Sequence, residues 1–138
     1  MKKFVLLFVL LNSFLSFSQL SELSEAFKNN DGIMSDIYKN IRSSAIKSWD
    51  DNHVMIVAHI NQNTEACYEL MKLLPEMDET EIKILRNGLD NWVDDTDKLT
   101  YERNLNSTDG ELIFKCCRYN WVMVKAHYEQ QSKASKSY

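Results

Sequence analysis

Apolar residues along this chain recur at three- and four-residue steps, the spacing that lines one face of an α-helix. The stripe is clearest after Asp78, where Ile82, Leu85, Leu89, Trp92, Thr96 and Leu99 step by 3-4-3-4-3 and keep one side toward a partner. Asp78 and Glu81 stand as a capping-box pair ahead of it. The pattern predicts a helix over 79–103, with Lys83, Asp90, Asp94, Asp97 and Lys98 on its solvated face. A second start signal, Asn106-Ser107-Thr108-Asp109 with Glu111 behind it, predicts a helix running to about residue 131. Its polar stripe is Lys115, Arg118, Lys125 and Glu129. The buried face is then centred on Cys116, Asn120, Met123 and His127.

Upstream, residues 52–74 form a helix that Pro75 ends from one residue beyond. Asn61, Gln62, Glu65, Glu69 and Lys72 are its polar side; Ile56, Ile60, Cys67, Met71 and Leu74 are its buried side. Ile33, Ile37, Ile41 and Ala45 mark a shorter helix opened after Gly32. The reading is all-α, a small up-down-up-down four-helix bundle over residues 33–131. Residues 19–32 are an N-terminal segment with a short amphipathic turn through Leu20, Leu23 and Phe27, and 132–138 a frayed C-terminal tail. Because no Gly or Pro lies between 33 and 74, the alternative is a bent three-helix bundle with one long helix 33–74. The Trp49-Asp50-Asp51-Asn52 cluster and the usual length of helices favour a turn there.

Residues 1–18 have the layout of a cleavable signal peptide. Lys2 and Lys3 precede an apolar run from Phe4 to Leu11, and Ser16-Phe17-Ser18 places small residues for cleavage before Gln19. The run is short of the roughly 20 residues a membrane span needs. No cysteine precedes Cys67 to carry a lipid. The expected protein is periplasmic or secreted, with no membrane span after signal cleavage. Loss of Lys2 and Lys3 leaves 14 basic against 20 acidic residues, a net charge of −6. Such a surface repels phosphate backbones, so no nucleic acid is expected as partner.

The chain carries no glycine-rich phosphate loop, nucleophile elbow, paired-histidine zinc motif or Cys-x-x-Cys-His. Aligning Gly110 with the glycine of a calcium loop puts Leu105 and Cys116 at ligand positions, which excludes that motif. The acidic run at 94–97 reads as a solvated helix face. Asn106-Ser107-Thr108 fits a glycosylation sequon but reads as a helix cap. His53 and His59 point to different sides of their helix, with His59 exposed.

Cys67, Cys116 and Cys117 are an odd set for an oxidising compartment. A bond between Cys116 and Cys117 would strain a regular helix. A Cys67–Cys116 disulfide is the other candidate. Register opposes it: the short turns set residue 108 level with residue 49, leaving the two thiols roughly 14 Å apart in height at 1.5 Å per residue. The same count brings Met34, Cys67, Met123 and His127 around one end of the core. These are soft or borderline ligands suited to Cu(I) or haem b. Met on the first helix and His on the last resembles how b-type four-helix cytochromes hold haem, in geometry alone. Against this stands a plain packing role, in which Met fills gaps and Cys acts as a small hydrophobe.

The function these features imply is a non-catalytic interaction or envelope-associated protein with an envelope or extracellular protein as partner, no cofactor and no enzymatic activity. The alternative is a periplasmic haem or copper carrier using the Met/Cys/His cluster.

Overall fold

Helix signals in the sequence become seven α-helices and no strand among the described residues, which in the computed structural model are 17–30, 32–105 and 110–137. Apart from Phe17 and Ser18, the expected export segment lies outside them, as do Asn106–Asp109 with the sequon and the expected cap. The helices are α1 (Phe17–Asn29), α2 (Ile33–Trp49), α3 (His53–Leu73), α4 (Glu79–Trp92), α5 (Lys98–Asn104), α6 (Gly110–Lys115) and α7 (Trp121–Ser135). No described helix is long and apolar enough to cross a membrane.

The turn between α2 and α3 settles the 33–74 segment as two helices. Asp50 takes φ 52°, a conformation that ends a right-handed helix, and Asn52 caps α3 by accepting from the N–H of Met55. The capping box at Asp78 and Glu81 also forms as expected.

Four long helices run up, down, up and down: α2, α3, α4 and α7. Asn63 meets Trp121 and Glu65 lies near Lys125, so α3 and α7 are parallel. Gly88 lies against Val124 and Glu81 against Tyr128, so α4 and α7 are antiparallel. A side chain at Gly88 would crowd His127 at 3.2 Å; the glycine lets α4 approach α7 closely.

α1 is a full helix of 13 residues, where only a short turn was expected. Phe27 is 1% exposed and meets the Tyr68 ring edge-on. Ser24 donates to Asn61 Oδ1 at 2.6 Å. This extra helix buries Asn61 of the expected polar side of α3, while Gln62, Glu65, Glu69 and Lys72 stay exposed or partly exposed; Asn63 and Thr64 are also buried. With α1, α2 and α7 all packed on it, α3 is the central helix. At the other end of the chain, α7 continues to Ser135 and buries Ser132, beyond the expected limit at 131.

The long helices expected over 79–103 and 108–131 each break, and they break at one level. α4 ends at Trp92, and Val93 forms an isolated antiparallel bridge with Tyr119. Backbone groups freed by the two helix ends satisfy each other: Asp94 N–H donates to Arg118 O at 2.8 Å, and Asn120 N–H to Trp92 O at 3.0 Å. The chain restarts on each side with its own cap. Asp94 accepts from the N–H of Thr96, and Asn120 accepts from that of Met123. Beneath the joint, Tyr101 meets Tyr119 edge-on, Tyr119 meets Trp121, and Trp121 stacks on Phe114 at 5.4 Å. Burial of these rings holds α5 and α6 against the bend.

Candidate functional site

The break at 116–120 resets the phase of α7. Its buried residues are Trp121, Val124, Tyr128 and Ser132, one position on from the expected Cys116, Asn120, Met123 and His127. One residue turns a helix by about 100°. Met123 is consequently 36% exposed, and His127 faces Gly88 of α4. The α7 residues lining the cleft shared with α3 are Val122, Lys125, Ala126 and Glu129. Cys67 is fully buried on α3, and Met34 packs on the core from α2. Of the four, Cys67 is enclosed, Met34 and His127 are partly buried, and Met123 lies at the surface.

Cys67 and Cys116 are both free. The sulfur nearest to Cys116 Sγ is that of Cys117, at 2.8 Å. Burial pushes the Cys67 thiol far up from its ordinary pKa, so it rests protonated.

Asp95 and Thr96 of the acidic run at 94–97 are exposed as expected, but Asp94 and Asp97 are partly buried against Arg118. Asp97 and Arg118 meet through Nε–Oδ2 at 3.0 Å and Nη2–Oδ1 at 3.1 Å, and the backbone N–H of Arg118 adds a third bond at 2.7 Å. Those bonds hold the Asp97 carboxyl below its ordinary pKa, against a partly opposing effect of burial. At Asp94 burial acts upward, but hydrogen bonds from Thr96 and Lys47 and the charge of Arg118 together bring it down to about 2. Lys47 reaches both Asp94 oxygens at 3.1 Å from α2. Arg118 also donates to Thr96 Oγ1 and to Ser43 Oγ, so it ties α2 to both sides of the bend.

Above this network opens a cleft of about 180 Å³, lined by Ser44, Ser48, His59, Trp92, Asp94, Arg118, Tyr119 and Asn120. His59, expected exposed, is half-buried here. It accepts at Nδ1 from Trp49 Nε1 at 3.2 Å, which puts the neutral ring's proton on Nε2. Burial lowers its pKa from the ordinary 6.5. Trp49 and Trp92 are 38% and 37% exposed, and the adjoining hairpin tip leaves Ile46, Val54 and Val57 exposed. The cleft is smaller than the roughly 300–1,000 Å³ typical of small-molecule sites. It has room for about one amino-acid side chain.

A larger groove of about 520 Å³ lies toward the C-terminal ends of α3 and α7, between Leu73, Glu81, Tyr128, Ser132 and Lys136. Its polar groups are engaged with one another: Tyr128 Oη donates to Glu81 Oε2 at 2.7 Å, and Lys136 lies 3.9 Å from the same oxygen.

The helical pattern hides the cleft, because it puts Arg118 and Asp94 on solvated faces of unbroken helices. Asn120-Trp121-Val122-Met123 repeats the Asn-x-Val-Met pattern of the α3 cap at Asn52-His53-Val54-Met55, and that repeat marks the restart of α7.

Compared with known proteins, the chain matches no family model, no curated protein and no solved structure.

Proposed function

We propose that this chain is a non-catalytic interaction protein of the cell envelope or extracellular space, docking a partner protein through the cleft-bearing end of the α2–α3 hairpin. The observation that carries this reading is the pairing of two exposed tryptophans, Trp49 and Trp92, with the Arg118–Asp94 cleft. Trp and Arg dominate the energetic centres of protein interfaces, where an anchor fills a small pocket inside a polar rim. Exposed Ile46, Val54 and Val57 extend the apolar surface at the tip. Export rests on the pattern of residues 1–18, and the acidic surface of the remainder favours a basic or neutral partner over a phosphate-rich one.

Site-specific photocrosslinking in the expressing cell tests the reading. A photoreactive residue at Val54 is expected to give a discrete protein adduct, whereas one at Lys83 on exposed α4 gives none. Trp92→Ala should reduce the Val54 adduct at least tenfold while the far-ultraviolet spectrum stays helical. Equal adducts from both positions, or none from Val54, would overturn the docking surface. Recovery of the protein only from the cytoplasm would overturn export.

A further inference from the structure

From the two neighbouring thiols at the α6–α7 bend we infer that Cys116 and Cys117 form a reversible vicinal disulfide. In a continuous helix adjacent side chains splay by about 100°, and a bond between them is strained. Here both residues have left the helix: α6 ends at Lys115 and α7 begins at Trp121. Their sulfurs lie 2.8 Å apart, inside the van der Waals separation of two sulfur atoms. The remaining change to a bonded pair, at about 2.05 Å, is small.

The surroundings assign the two thiols different parts. Cys116 is partly exposed, and its Sγ lies 3.4 Å from Ile113 O and 3.8 Å from Tyr119 Oη. Cys117 is 1% exposed, with its Sγ 3.7 Å from Asp97 O. Burial and the Cys116 sulfur raise the pKa of Cys117. Only Cys116 is placed to meet an external oxidant, and Cys117 is placed to resolve.

The oxidant is a disulfide, either of a protein or of a small thiol. Cys116 loses its proton to solvent, and its thiolate attacks one sulfur of the oxidant. One thiolate leaves, and Cys116 carries a mixed disulfide. Cys117 then loses its proton and attacks Cys116 Sγ, forming the Cys116–Cys117 bond and expelling the second thiolate. The protein gives up two electrons and two protons, and the oxidant disulfide becomes two thiols. The closed ring cannot be accommodated in a regular helix, so oxidation fixes the bend between α6 and α7. It also removes the thiol hydrogens directed at Ile113 O and Asp97 O.

Oxidised glutathione applied to the reduced, folded full chain provides the test. Trypsin cleaves after Lys115 and Arg118, isolating the tripeptide Cys116-Cys117-Arg118. After alkylation under denaturing conditions this peptide is expected two hydrogens lighter than the free dithiol and unalkylated, returning to a doubly alkylated form after reduction. Cys67 is expected fully alkylated throughout. Cys117→Ser should trap glutathione on Cys116, and Cys116→Ser should leave Cys117 without an adduct. A Cys67–Cys116 link, a tripeptide alkylated at both positions after oxidation, or an adduct on Cys117 would each overturn the inference. The wild-type peptide mass decides it even if a variant fails to fold.

Discussion

Arg118 and Asp97, 21 residues apart, are joined by three hydrogen bonds in which one carboxylate receives both the guanidinium and the backbone N–H of the same arginine. Their side chains are only 22% and 20% exposed. The pair closes the bend where α4 and α7 both break. Replacing Asp97 by Ala strands the Arg118 charge and one N–H, and should cost about 2 kcal/mol. Chemical denaturation measures this. A loss under about 0.5 kcal/mol, the size typical of surface changes, would show the contact to be incidental.

The same network predicts an acid-sensitive joint. Asp94 is depressed to about 2 and Asp97 is also lowered. Carboxylates whose folded pKa is depressed stabilise the fold above their unfolded pKa, about 3.9, and lose that contribution as pH falls through the folded value. Stability should therefore fall between about pH 4 and pH 2. This acid loss should shrink in the double variant Asp94→Asn/Asp97→Asn; an unchanged acid profile would count against the assignment.

The Trp49–His59 bond should open on mild acidification. A histidine with a lowered folded pKa favours the neutral folded form, so this stabilisation is present above the unfolded pKa of 6.5 and is lost as pH falls below it. Protonation at Nδ1 removes the acceptor for the indole N–H. Tryptophan fluorescence should change below pH 6.5 in the wild type and stay flat in Trp49→Phe. A change retained in that variant would assign the signal to another tryptophan.

Thr64 is fully buried and its hydroxyl has no hydrogen-bond partner among the described residues. Thr64→Val keeps the shape and removes an unsatisfied group, and should stabilise by about 1 kcal/mol. Ser24→Ala does the opposite, leaving buried Asn61 Oδ1 without its donor, and should destabilise by about 1–3 kcal/mol. Thermal melts of the two variants should move apart; shifts of the same sign would contradict this account of α1 on α3.

Asp50 pairs φ 52° with ψ −104°, a combination that glycine adopts without the penalty a side chain brings. Asp50→Gly should raise stability by about 1 kcal/mol by relieving that strain. The melting temperature reads this directly, and a decrease would mean that the aspartate contributes more through its side chain than its backbone costs.

The height of residues in this bundle was legible in the sequence, but their direction was not. Turn lengths alone set residue 108 level with 49, an offset of 59, and the observed contact between Asn63 and Trp121 has an offset of 58. Heights survive because the two long segments break together, at Val93 and Tyr119. Direction failed because an apolar period continues smoothly through both breaks: Trp92, Thr96 and Leu99 keep helical spacing although Val93 is extended. What decides the breaks is tertiary, namely Arg118 reaching Asp97 and the Tyr101–Tyr119–Trp121 rings. The burial of Asn61 is hidden for a related reason, since the helix that covers it reads as a single turn. The Cys-Cys pair was set aside on the assumption of a regular helix at the place where the helix stops.

Asn63 carries one more consequence. Its side-chain oxygen accepts from the N–H of Trp121 at 2.9 Å and faces that of Val122 at 3.4 Å, while its amide donates to His59 O. The opening turn of α7 is thus completed by an atom 58 residues earlier in the chain. Nucleating a helix is uphill, and a contact over that separation carries a loop-closure cost that local contacts avoid. Folding should accordingly begin with the α2–α3 hairpin and add the C-terminal helix in its slow step, with Asn63 as the template. Asn63→Ala should slow refolding in stopped-flow measurements; a variant that only unfolds faster would place this contact after the barrier.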